Sequence, residues 1–145
     1  MGSAAVRTRG VPPPAGTVAM ARVVALTRDL LFGSQVQGAL TLAGNEVELV
    51  PDEGRLRERM TVDPGEAGSP SADVLVVDLT DGELDGAAVL ESLRRTEKLG
   101  ATRTLGFYSH VEASMRERAE RAGFDLVVPR SRMAREGAAL VAGLL

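Results

Sequence analysis

Apolar residues fall into five short runs along the chain, each followed by a longer segment in which apolar positions recur at helical spacing. The runs cover residues 22–27, 46–50, 72–79, 103–108 and 124–128, and each has the length of a β-strand. The intervening and final segments predict helices over residues 29–43, 54–60, 85–98, 111–122 and 131–145. The chain is therefore predicted to consist of five β/α units.

The apolar runs are continuous and do not alternate with polar residues, as the segment ADVLVVDL at residues 72–79 illustrates. Strands of this kind are buried on both faces, as in a parallel sheet covered by helices. Right-handed crossovers then predict an α/β, doubly wound three-layer sandwich. The predicted core consists of Val23, Val24, Leu26, Val74, Leu75, Val76, Val77, Leu105, Phe107, Leu126 and Val127.

Composition narrows the class of protein. The length of 145 residues suits one domain, predicted over residues 21–145, and the Gly- and Pro-rich residues 1–20 are predicted to be a disordered lead. The absence of cysteine excludes disulfides, thiolate metal sites and cysteine nucleophiles. The net charge of −3 gives no indication of nucleic-acid binding, and no membrane helix or secretory signal is evident, so a cytoplasmic protein is expected.

Polar side chains collect at the predicted carboxyl ends of the strands, where open parallel sheets place their ligands and chemistry. The residues concerned are Thr27, Arg28 and Asp29 after the first strand, Asp78, Thr80 and Asp81 after the third, Ser109 and His110 after the fourth, and Pro129, Arg130 and Ser131 after the fifth. We expect any functional site to lie there.

The segment VLVVDLTDGELDGAAVLESLRR resembles the third strand, loop and third helix of bacterial response-regulator receiver domains (CheY-like), and ERAERAGFDLVVPRS resembles their fourth helix and fifth strand. The similarity extends over residues 22–145. It implies a flavodoxin-like sheet of order 2-1-3-4-5. It also implies a phosphoacceptor at Asp78, a phosphoryl-binding hydroxyl at Ser109, and Arg130 at the position of the family's lysine.

The resemblance is incomplete at the position that matters most for phosphorylation. The family holds Mg²⁺ with two acidic residues after the first strand, which fall here on Thr27 and Arg28, while Asp29 supplies at most one carboxylate. A cation at Arg28 would repel Mg²⁺ and is expected to pair with a carboxylate. Arg28 or Arg130 is accordingly predicted to form a salt bridge with Asp78.

Two further positions depart from the family pattern. His110 stands where a small residue usually admits the phosphodonor, and Val127 replaces the aromatic residue that usually couples phosphorylation to ring rotation. The favoured interpretation is a divergent pseudo-receiver, a non-enzymatic signalling module without metal or cofactor that docks to a partner protein. A functional phosphoacceptor phosphorylated on Asp78 by a histidine kinase, and a small-molecule-binding flavodoxin-like domain, remain alternatives.

A weak homodimer is also predicted, on the face formed by the last strand and its two flanking helices. The segment of residues 111–122 and the last helix carry both signs of charge, so the patch can oppose its own two-fold copy with unlike charges facing. The candidate interface residues are Arg116, Arg121, Arg132 and Arg135.

Overall fold

Five strands and five helices alternate along the part of the chain that the computed structural model describes, namely residues 21–61, 72–81, 83–109 and 113–145. The strands are β1 (Arg22–Leu26), β2 (Glu46–Val50), β3 (Val74–Asp78), β4 (Arg103–Tyr108) and β5 (Leu126–Pro129). The helices are α1 (Leu30–Leu42), α2 (Glu53–Thr61), α3 (Gly86–Arg95), α4 (Ala113–Ala122) and α5 (Arg130–Leu144). The predicted lead, most of the predicted loop at 61–72 and His110 lie outside the described residues.

The strands form one parallel sheet in the order β2-β1-β3-β4-β5, which confirms the predicted fold class and topology. All five residues of β3, the central strand, are buried, as its continuous apolar sequence requires. The register pairs Leu26 with Val77, Asp78 with Phe107 and Phe107 with Val128, so the carboxyl ends of four neighbouring strands meet at one edge of the sheet.

The sheet is covered by an apolar cluster on each face, one packed against α2, α3 and α4 and the other against α1 and α5. Every predicted core residue is buried except Leu126 and Val127, which are half-buried. Both lie on β5, an edge strand that has a neighbouring strand on one side only, and this explains the incorrect prediction at these two positions.

Aspartate side chains fix where two of the helices begin. Asp29 Oδ1 accepts a hydrogen bond from the Phe32 amide at 2.9 Å, and Asp85 Oδ1 accepts one from the Ala88 amide at 3.1 Å. Each carboxylate caps its helix, α1 or α3, and satisfies an amide that has no partner within the helix. Gly44, just after the end of α1, has a φ of 100°, a left-handed conformation that glycine adopts readily at the end of a helix.

Helix α1 is more exposed at its start than its sequence suggests. It buries Phe32, Gly33, Val36 and Leu40, whereas the adjacent Leu30 and Leu31 remain largely exposed. The buried stripe therefore begins at Phe32. None of the described helices has the length and hydropathy needed to cross a membrane.

Candidate functional site

Asp78 lies at the carboxyl end of β3 and is only 2% exposed. Thr27 donates its hydroxyl to Asp78 Oδ2 at 2.8 Å. Thr80 donates its amide and its hydroxyl to Oδ1 at 2.7 and 2.6 Å. Both carboxylate oxygens therefore have partners supplied by hydroxyl and amide groups of the chain. This arrangement satisfies the hydrogen-bonding requirement of a buried carboxylate.

The predicted salt bridge from Asp78 to Arg28 or Arg130 is wrong. Both arginines pair with other carboxylates, and Asp78 forms no salt bridge with any described residue. The physical reason is the cost of desolvation, because a guanidinium placed against the buried Asp78 would lose its own contact with water. Hydroxyl donors satisfy Asp78 without burying a second charged group, and the arginines keep contact with solvent.

Arg28 extends from the end of β1 towards the loop that follows β3. Its Nη1 donates to Glu83 Oε1 at 3.0 Å, and its Nε lies 3.5 Å from Asp81 Oδ2. The hydrogen bond to Glu83 and the negative charges of Asp81 and Glu83 raise the pKa of Arg28 above its ordinary value. The sequence pattern did not identify Asp81 and Glu83 as the partners of Arg28.

Asp29 links α1 to the start of α5. While Oδ1 caps α1, Oδ2 accepts a hydrogen bond from Arg130 Nη2 at 2.9 Å. The Arg130 guanidinium carbon lies 4.2 Å from the centroid of the Phe32 ring, and this ring lies 5.0 Å from that of Phe107. Arg130 is thus held by an ion pair and a cation–π contact. No pattern in the sequence indicated the contact between Arg130 and Phe32.

An open cleft of about 620 Å³ lies beside these groups. Its described lining combines hydroxyl groups, one arginine and apolar surface, and consists of Phe32, Thr80, Ser109, Arg130, Ser131 and Ala134. The structure therefore brings Ser109 and Arg130, which the resemblance assigned to phosphoryl binding, to the same cleft as Thr80, a direct partner of Asp78.

The described residues do not fit the divalent metal that the resemblance implies. Magnesium is held by carboxylate, carbonyl and water oxygens, usually with one or two carboxylates from the protein. Here a guanidinium follows Thr27, both oxygens of Asp29 are engaged elsewhere, and both oxygens of Asp78 accept hydrogen bonds from threonines. No group of three or more His, Cys, Asp or Glu side chains suited to a metal occurs among the described residues.

Receiver domains of response regulators are among the solved structures that have a similar fold. The signal receiver domain of the response regulator NarL from Mycobacterium tuberculosis superposes with a TM-score of 0.69 at 24% identity, covering 86% of this chain and 95% of that one. CheY4 of Vibrio cholerae gives a TM-score of 0.71 at 16% identity, covering 89% and 100%. This is the receiver-domain fold.

A further structure with the receiver fold, the Mn²⁺-bound form of the response regulator Rcp1, has a TM-score of 0.65 at 14% identity and covers 86% of this chain and 91% of its own. No protein-family model and no curated protein matches the sequence. The similarity therefore lies in the architecture, whereas the residues around Asp78 must be interpreted from their own geometry.

The candidate interface arginines lie on α4 and α5, and several of them pair within their own helix. Arg116 contacts Glu120 at 3.2 Å and Arg132 contacts Glu136 at 3.5 Å. Arg135 donates to the Ser131 carbonyl, and Arg121 is exposed on α4. The mixed charges that motivated the dimer prediction are therefore partly neutralised within each helix.

Proposed function

We propose that this chain is a pseudo-receiver, a signalling module that docks to a partner protein and does not depend on phosphorylation of Asp78. The proposal assigns no catalytic role, metal or cofactor to the chain. It also places the protein in the bacterial cytoplasm, in agreement with the bacterial species named for NarL and CheY4. The partner is expected to be another signalling protein.

The state of Asp78 is the observation that carries the proposal. Its carboxylate is buried and accepts hydrogen bonds from Thr27 and Thr80 on both oxygens. Phosphoryl transfer to a carboxylate brings negative groups together and needs positive charge to stabilise them. In this chain the cation that follows Thr27 is Arg28, and it pairs with Asp81 and Glu83 and not with Asp78.

A functional phosphoacceptor is the second candidate, and one observation favours it. Ser109 and Arg130 line the cleft beside Thr80, so a hydroxyl and a cation are available on the side of the site where a phosphoryl group would lie. The same cleft supports the third candidate, a small-molecule-binding domain, since its volume is in the range of ligand pockets.

Thermal denaturation of the whole chain separates the three candidates. We expect its unfolding temperature to be unchanged by Mg²⁺ with beryllofluoride, a phosphoryl mimic, and by nucleotides or flavins. A rise with Mg²⁺ and beryllofluoride that disappears in Asp78→Asn would support the phosphoacceptor. A rise with a nucleotide or flavin would support the ligand-binding domain, and either result would overturn the pseudo-receiver.

A further inference from the structure

Arg28 and Asp29 are neighbours in the loop between β1 and α1, and they connect this loop to two other segments at the same end of the sheet. Arg28 binds Glu83 and Asp81 in the loop after β3, which lies more than fifty residues further along the chain. Asp29 binds Arg130 at the start of α5, which is 101 residues away. Through these ion pairs the loop after β1 is connected to the β3–α3 loop on one side and to the β5–α5 junction on the other.

Thr27 connects Asp29, and through it the Asp29–Arg130 pair, to the buried carboxylate of Asp78. Its hydroxyl oxygen accepts a hydrogen bond from the Asp29 amide at 3.1 Å and donates one to Asp78 Oδ2 at 2.8 Å. Each of these three consecutive residues therefore contacts a distant part of the chain. Thr27 binds Asp78, Arg28 binds the β3–α3 loop, and Asp29 binds the start of α5. A divalent cation at this edge of a sheet would do the same by drawing oxygen ligands from several loops towards one centre.

We propose that the Arg28 guanidinium is a built-in cation that takes the place of a divalent metal and, with the Asp29–Arg130 pair, holds the three loops in one arrangement. An arginine suits this role because it remains charged at any physiological pH and donates in a planar fork that reaches two carboxylates at once. The inference rests on the proposed function, since the loop arrangement presented to a partner would then be constant.

Hydrogen exchange of the full chain tests the proposal directly. The reporters are four amides of the β3–α3 loop whose acceptors are known: Leu79 donates to the Phe107 carbonyl, Thr80 to Asp78, Glu83 to the Asp81 carboxylate and Leu84 to the Asp81 carbonyl. In Arg28→Gln we expect the amides of Glu83 and Leu84 to exchange about fivefold faster than in the wild type, because exposed ion pairs have effects of that order.

Arg103→Gln is the matched control, because it removes an exposed arginine that pairs with Asp125 at the amino end of β4, the end of the sheet opposite to these loops. It is expected to leave the four loop amides unchanged. Unchanged exchange of Glu83 and Leu84 in Arg28→Gln overturns the proposal, as does an equal acceleration in Arg103→Gln. High salt should accelerate the same amides in the wild type, because exposed ion pairs are screened.

Mn²⁺ tests whether the guanidinium takes the place of a metal. In Arg28→Asp, Mn²⁺ is expected to slow exchange of the Glu83 and Leu84 amides. The metal ion would then bind the introduced aspartate together with Asp81 and Glu83, the carboxylates that pair with Arg28 in the wild type. It should have no such effect on the wild type. An equal effect on both proteins, whether large or absent, overturns the claim of replacement.

The role of Arg28 and the pseudo-receiver function are tested by different measurements, so one can fail without the other. Beryllofluoride binding that depends on Asp78 would overturn the pseudo-receiver, whatever the exchange data show. Unchanged loop exchange in Arg28→Gln would overturn the role of Arg28, and the docking proposal would then have to stand on Asp78 alone.

Discussion

At the scale of single residues, both carboxylate oxygens of Asp78 accept hydrogen bonds from groups of the protein itself. Two threonines supply three hydrogen bonds to a carboxylate that is almost fully buried. Hydrogen bonds to charged groups are among the strongest in proteins, and a buried acceptor that loses its donor is costly. The threonines therefore contribute to stability as well as to the chemistry of the site.

Thr27→Val tests this contribution. The valine keeps the shape of the side chain but leaves Asp78 Oδ2 and the Asp29 amide without the Thr27 hydroxyl. We expect the free energy of unfolding to fall by about 1–3 kcal/mol, measured by urea denaturation. Thr41→Val, at an exposed position of α1, is the matched control and should change it by less than about 0.5 kcal/mol. Equal stabilities for the two variants would contradict this account of Asp78.

The sequence predicted which residues meet at this edge but not how they pair. Asp78 ends β3, and Ser109 and Arg130 directly follow β4 and β5, so topology alone brings the three near one another. The partners of Arg28 and Arg130 depend on loop conformation and on the balance between ion pairing and desolvation, and no local pattern in the sequence contains that information. The Asp78–arginine salt bridge was wrong for this reason.

At the scale of elements, one side chain packs β3, α3 and β4 together. A Cβ atom placed on Gly86 would lie 2.7 Å from Leu79 Cδ2, and one placed on Gly106 would lie 2.8 Å from Leu79 Cδ1. Leu79 therefore occupies space left by a glycine on each neighbouring element. Because it immediately follows Asp78, its packing also fixes the position of the carboxylate.

Gly106→Ala is expected to lower the free energy of unfolding by about 1–3 kcal/mol, since the added methyl group overpacks the core against Leu79. Gly38→Ala is the matched control in the middle of α1, where a Cβ would meet nothing within 4 Å. It should stabilise the protein by about 0.5–1 kcal/mol through helix propensity. Denaturant titration measures both changes, and a neutral Gly106→Ala would show that Leu79 is not tightly held.

A second contact between elements depends on pH. Arg118 on α4 donates to Asp85, the capping residue of α3, and this hydrogen bond lowers the pKa of Asp85. A carboxyl whose pKa is lower in the folded state contributes stability above its unfolded pKa of about 4, and this contribution is lost as the pH falls through the folded value. The contact therefore ties α4 to α3 at neutral pH.

Asp85→Asn keeps a good capping residue but removes the charge. The urea midpoint of the variant should lie below that of the wild type at pH 7, and the gap should narrow as the pH falls below about 4. The effect is expected to be small because the Asp85 side chain is half exposed. A difference between the two midpoints that stays constant from pH 7 to below about pH 4 would show that helix capping, and not the charge of Asp85, causes the difference.

At the scale of the whole molecule, the parallel direction of the strands followed from the hydrophobic pattern, and their order followed from the resemblance to receiver domains. The continuous apolar runs specified a sheet buried on both faces, and β2 and β4 have the predicted bounds. The half-buried β5 was predicted less well, because burial at a sheet edge depends on what covers the strand. Mixed charges on α4 and α5 likewise allow a contact but do not specify one.

Weak self-association through the face formed by α4, β5 and α5 is expected at low salt and should disappear at high salt, as screening requires. Sedimentation at two salt concentrations measures it. Arg121→Glu should weaken the dimer, whereas Arg55→Glu on α2, which packs beside the opposite edge of the sheet, should not. A monomer at high micromolar concentration in low salt would exclude this dimer, and a dimer insensitive to Arg121→Glu would place the interface elsewhere.

The central claim is that this receiver fold does not use Asp78 as a phosphoacceptor. Its most direct test is mass spectrometry of the intact chain after incubation with acetyl phosphate and Mg²⁺, with Asp78→Asn treated in parallel. We expect no phosphoprotein in either sample. A phosphoryl mass increment in the wild type that is absent from Asp78→Asn would contradict it.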